Sequence, residues 1–276
     1  SVEQNKEVVD MKVYISTDIE GVAGITVWEE ARKSSAYYPY YAEQMTKEVA
    51  AACEGANKAG AEEILVRDGH GSGRNIDHTK LPENATLIRG WSGHPYKMVQ
   101  DIDESFNALA FVGYHSYGGS NENPLAHTMN SSVIDYIKLN GEYLSEFLLH
   151  AYLAALLEVP VAFISGDKGI CEEAKKFNEN IVTVAVSEGR GAATKSLHPN
   201  KAIKLIREGM EKALKGDLSR NKVELPKKFS LEIRYNYHGN AYRYSFYPGA
   251  IQISPKSILF ETEDYFEIMR ATSFLI

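Results

Sequence analysis

Residues 12–21 read KVYISTDIEG, an apolar run that ends in two carboxylates, Asp18 and Glu20, one position apart. The run has the length and the Val, Ile and Tyr content of a strand. In an extended chain alternate side chains share a face, so both carboxylates would leave the strand end on the same side. Like charges held together raise each other's pKa unless a cation sits between them, which makes this strand end the first place to look for a metal.

Four more runs of the same kind follow: EEILVRD (62–68), ATLIRG (85–90), ALAFVG (108–113) and VAFISGD (161–167). Each ends in Gly or Asp, and helix-length segments lie between many of them. That alternation predicts an α/β fold, a mostly parallel sheet flanked by helices on both faces. The clearest helix is 41–59, where Met45, Val49, Ala52, Cys53 and Ala56 form one stripe and Gly60 supplies the stop. A second helix is expected over 145–158, from a Ser145 cap to Pro160, and Asn140-Gly141 among β-formers signals a hairpin.

Past Pro199 the pattern changes. Residues 200–216 read as an amphipathic helix, 221–228 as a polar connector, 229–246 and 257–264 as strands, and 264–276 as a closing helix. The division expected is a polar extension over 1–10, an α/β core over 11–198, and a smaller C-terminal α+β subdomain over 199–276 that packs on the core or on an oligomer neighbour.

With 30 Lys and Arg against 37 Asp and Glu, the net charge of −7 argues against nucleic-acid or anionic-membrane partners. Cys53 and Cys171 stand far apart without metal-knuckle spacing, which suits a reducing compartment. No run approaches the apolar length of a membrane span, and the first residues lack a basic-then-apolar leader pattern. A cytoplasmic location is the expectation.

In open α/β sheets functional groups gather beyond the C-terminal ends of the strands. Asp18 and Glu20 follow the first run, His70 follows the second in DGHGSG, and His115 follows the fourth in GYHSYGG. Glu146 falls in the first turn of the second helix, and His127 lies in PLAHTMN. Singly, each has a plain structural reading: a helix cap or an Arg67 partner for the two acids, a loop or packed residue for each histidine. Together, carboxylates and imidazoles at successive strand ends are what a divalent-metal hydrolase site requires. His150, four residues after Glu146, shares its helix face and reads either as an approach to the site or as a buried histidine bonded to a carbonyl. His78, His94, His198 and His238 read as surface residues.

These residues resemble a known family, the DppA-like D-aminopeptidases, which are zinc metallopeptidases. The pattern S-x-D-x-E-G matches Ser16 to Gly21, followed in order by VRDGHGS, FVGYHS, AHTM, LNGEYLSE, VPVAFISGD and MRATSF. The resemblance implies two zinc ions per chain, with Asp18 bridging them, Glu20 and Glu146 completing one site, and His70 and His115 the other. It assigns His127 to catalysis, as base or nucleophile. It further implies short peptides with an N-terminal D-amino acid, of the D-Ala-D-Ala type, as substrates and a ring-like homo-oligomer. Leu148 and His150 depart from the family pattern on the helix of Glu146, and Lys168 departs from it after Asp167. Two other readings stand beside this one: a metal-dependent amidohydrolase or peptidase acting on another small amide, and a non-catalytic protein that binds a metal or peptide.

Overall fold

The structure, a computed structural model, describes residues 10–276. Of the polar extension expected over 1–10, all but Asp10 therefore lies outside the described residues. In chain order the first half holds β1 (Met11–Thr17), α1 (Trp28–Ala31), α2 (Tyr38–Lys58), β2 (Ala61–Asp68), β3 (Ala85–Ile88), β4 (Ala108–Tyr114), β5 (Ile134–Leu139) and β6 (Glu142–Tyr143). Then come α3 (Glu146–Leu156), β7 (Val161–Asp167), α4 (Lys168–Phe177), β8 (Val182–Arg190), β9 (Ala193–Ser196) and α5 (Pro199–Lys215). The remainder is β10 (Phe229–Tyr235), α6 (His238–Tyr244), β11 (Ala250–Ser254), β12 (Ser257–Thr262) and α7 (Tyr265–Phe274).

Seven strands form a sheet in the order β3-β2-β1-β4-β7-β8-β9, parallel except where β9 returns antiparallel to β8. Every residue of β4 and β7 is buried, as expected of continuous apolar strands covered on both faces. On one face the stripe of α2 (Met45, Val49, Cys53) meets Ile206 and Met210 of α5. The other face carries α3, α4 and a second sheet, through Phe147, Ile170, Leu231 and Ile233. That second sheet is antiparallel, in the order β11-β12-β10-β5-β6. Among the described residues no helix is long and apolar enough to cross a membrane.

Three expectations change. Helix α2 begins at Tyr38 because Pro39 occupies its first turn, where a missing N–H costs nothing. The alternating stretch 229–246 is a strand only to Tyr235; beyond it Tyr242 and Phe246 stand at helical i,i+4 spacing, edge to face at 5.3 Å. The division expected at residue 198 does not follow the two sheets. Helix α5 belongs to the parallel sheet's outer layer through Ala202, Ile206 and Met210, while the Asn140-Gly141 hairpin β5–β6, far upstream, pairs with β10.

Candidate metal centre

The parallel sheet reverses its winding between β1 and β4: the chain goes from β1 outward to β2 and β3, then returns to β4 on the opposite side of β1. Such a reversal opens a crevice at the strand ends. Thr17 stands level with Asp68 of β2 and Val112 of β4, so residues just after the three strands emerge along one edge.

At Asp18 the chain leaves the extended conformation and folds across β4, with Asp18 N–H donating to Val112 O at 2.9 Å and Gly21 N–H to Gly113 O at 2.8 Å. This corrects the simple alternation expected of a continuing strand. A turn, and not the pleat, brings both carboxylates to His70. Gly113 is required there: its φ is 73°, and a Cβ on it would lie 2.2 Å from Asp18 O.

His70 sits in a loop closed by Asp68, whose carboxylate accepts from the N–H groups of Asn75 and Ile76 and from the Asn75 amide, which also donates to His70 O. Its Nε2 lies 2.7 Å from Ala31 O, leaving Nδ1 turned toward Asp18 Oδ1 at 3.3 Å and Glu20 Oε2 at 3.1 Å. His115, fully buried, places Nδ1 3.0 Å from Ser116 O and Nε2 between Asp18 Oδ2 (3.4 Å) and Glu146 Oε1 (3.5 Å). His127 repeats the pattern, with Nδ1 2.8 Å from Leu125 O and Nε2 3.4 Å from Glu146 Oε1. Glu146 opens α3 behind the Ser145 cap, and its Oε1 accepts from Met129 N–H at 2.7 Å.

The structure thus brings all six residues singled out in the sequence to one buried cluster. By nearest distances Asp18 stands in the middle, with Glu20 and His70 on one side and His115 and Glu146 on the other. Arg67 is not a partner: it is buried, donates to the carbonyls of Lys97 and Ile88, and lies 4.3 Å from the Trp91 ring.

The electrostatics call for a cation. Burial pushes the His70 and His115 imidazoles down, but the adjoining carboxylates outweigh it and hold both well above 6.5. Burial likewise pushes Asp18 up, and His115 and His70 outweigh it, leaving this carboxyl well below its usual range. Even so, among the described residues Glu20 Oε2 and His115 Nε2 are buried without a hydrogen-bond partner; Glu20 Oε2 is near His70 Nδ1 but outside hydrogen-bonding geometry. Buried polar atoms without partners are costly, and a dication among them removes that cost. Two sets of three ligand atoms fall within 4.8 Å of one another: Asp18, Glu20 and His115, and His115, His127 and Glu146. Imidazole and carboxylate donors suit zinc, and each ring's second nitrogen on a backbone carbonyl is the outer support such ligands take.

The cluster opens into a cavity of about 230 Å³ walled by Trp28, Trp91, Met98 and Met129. Trp28 packs edge-on against His127, ring centroids 5.1 Å apart. Sequence reasoning missed Trp28 and the Met129 amide, since one belongs to a four-residue helix and the other depends on a backbone at φ 63°. His150 is fully buried with Nδ1 2.6 Å from Glu146 O, and burial pulls it down to about 4. Leu148 lines a different cleft, with Tyr117 and Tyr143. The exposed His78, His94, His198 and His238 take no part.

Known proteins are similar to this chain over nearly its whole length. The sequence profile of the D-aminopeptidase family matches residues 11–274. The chain is 30% identical over 263 residues to a D-aminopeptidase of Bacillus subtilis, covering 95% of each. Among solved structures it is similar to a zinc-dependent D-aminopeptidase, DppA from Bacillus subtilis, a self-compartmentalizing protease, with a TM-score of 0.88, 28% identity and 96% of each chain covered.

Proposed function

The chain belongs to the D-aminopeptidase family and is a zinc metallopeptidase, and on that premise we propose that it holds two zinc ions and removes the N-terminal residue from short peptides that begin with a D-amino acid, D-Ala-D-Ala among them. The observation that carries this reading is the meeting of three buried carboxylates with the buried His115 and His127 and the partly buried His70, in which Glu20 Oε2 and His115 Nε2 lack partners. Asp18, Glu20, His70, His115 and Glu146 would hold the two ions, with Asp18 shared between them. Bound zinc would polarise the scissile carbonyl and acidify a water toward neutrality.

The rest is done by the chain. His127 donates through Nδ1 to Leu125 O, and its Nε2 lies 3.4 Å from Glu146 Oε1 at the edge of the cavity. That nitrogen is the general base: it takes a proton from the attacking water and returns it to the departing amine. Trp28 and the Leu125 carbonyl fix the ring's plane and tautomer. The cavity's size suits a short peptide side chain. The relative's self-compartmentalizing character supports assembly of this chain into a closed homo-oligomer, to be read by light scattering.

The test is hydrolysis of D-Ala-D-Ala beside L-Ala-L-Ala by zinc-loaded and chelator-treated protein. Chelator-sensitive release of D-alanine alone is the expected result. Equal cleavage of both peptides would refute the stereochemical part, and full activity after removal of all metal would refute the rest.

A further inference from the structure

Asp167 is fully buried at the end of β7 and its carboxylate accepts four hydrogen bonds. Oδ1 receives Ile170 N–H (2.8 Å), which caps α4, and the Ser116 hydroxyl (2.6 Å); Oδ2 receives Ser116 N–H (2.7 Å) and the Asn123 side-chain amide (3.0 Å). Four bonds fill a carboxylate's acceptor sites. Only one of the four serves the helix.

The other three come from Ser116 and Asn123, and these two residues lead to the metal centre. The Ser116 peptide is held by its N–H on Asp167 while its C=O accepts from His115 Nδ1. The Asn123 amide that donates to Asp167 also donates to Glu20 O at 2.9 Å. Through its own oxygen Asn123 accepts from Leu125 N–H at 2.8 Å, and the Leu125 carbonyl is the one that receives His127 Nδ1. Loops carrying Glu20, His115 and His127 therefore converge on one side chain that does not line the cavity.

The geometry points to Asp167, acting with Asn123, as the positioning residue of the metal centre: it sets the tautomer and direction of His115 and the height of Glu20 and His127 above the strand ends. Outer partners of this kind change metal affinity about 10–100-fold when removed. The inference rests on the zinc reading above and adds a role that the ligand set does not contain.

Asp167→Asn separates the two jobs of the side chain. Its oxygen still accepts from Ile170 and so still caps α4, but its NH₂ faces the Ser116 and Asn123 donors. Asn123→Ala cuts the Glu20 and Leu125 routes and leaves the cap untouched. Zinc affinity of each metal-depleted, folded variant is measured by chelator competition, and the visible spectrum of the cobalt-substituted form reports ligand geometry. Both variants are expected to bind zinc about 10–100-fold more weakly, with altered cobalt bands. Wild-type affinity and spectrum in both would overturn the inference; if Asp167→Asn does not fold, Asn123→Ala decides by the same readout. Failure of the unmodified protein to take up zinc would overturn the metal reading and this inference with it, a result distinct from zinc uptake that the variants leave unchanged.

Discussion

The His115 and His127 rings are stacked, with centroids 4.3 Å apart and planes 10° from parallel, and both direct Nε2 at the same oxygen, Glu146 Oε1. The two imidazoles differ in surroundings more than in geometry. His115 is sealed in beside Asp18, whereas His127 borders the cavity. One carboxylate thus links the ring proposed to hold a cation to the ring proposed to move a proton.

Replacing His127 with Ala should leave zinc content near two per chain and lower kcat about 10²–10⁴-fold, the usual contribution of a positioned acid–base group. Elemental analysis and steady-state kinetics on the same preparation check both halves. Unchanged turnover would remove His127 from the proton path.

Asp18 stands between His70 and His115, and stoichiometry can read its part. Glu20→Ala, His70→Ala, His115→Ala and Glu146→Ala should each leave about one zinc per chain. Asp18→Ala should lose both. Two zinc ions retained by Asp18→Ala would end its bridging role.

The pH response should differ in sign between the metal-free and zinc-loaded protein. Without metal, His70 and His115 are raised above 6.5 in the folded state, so their contribution is complete below that value and is lost as pH rises through the folded pKa values. Asp18 is lowered below 3.8, so its contribution is present above that value and is lost as pH falls through its folded pKa. Metal-free protein should therefore melt at lower temperature on going from mildly acid to alkaline pH. Zinc needs the neutral imidazoles, so its affinity and the activity should climb over the same interval, with proton release on binding. Calorimetric titration in buffers of different ionisation enthalpy measures that release; none at neutral pH would contradict histidine ligation.

Gly113→Ala tests the crossing of the β1 turn over β4. A left-handed backbone and a Cβ pressed on Asp18 O should together cost at least about 2 kcal/mol. Urea denaturation should show the loss, and zinc content should drop because Asp18 is the residue displaced. Wild-type stability in this variant would mean the crossing relaxes freely.

The strands of the parallel sheet were legible because their burial on both faces writes itself as unbroken apolar runs, and the ligands because they stand just after those runs. The strand β8 was not, since its short apolar opening VTVAV runs straight into the polar SEGR and only Val186 and Ser187 of it are buried. Helix α6 was masked by tyrosines that alternate like a strand but pack like a helix. Nothing local marks Asp167 as more than a cap, because three of its four partners come from a loop about 50 residues earlier. Nor does spacing reveal that β5 and β6 belong with strands nearly 100 residues downstream.

That last pairing has a consequence for the order of events at the ribosome. Every proposed ligand has been synthesised by residue 146, yet β5, which leads into the helix bearing Glu146, gains its neighbour β10 only when residues 229–235 emerge. The nascent chain therefore carries the proposed metal-binding side chains well before β5 has its partner strand, and the sheet beneath Glu146 waits for residues made more than 80 positions later.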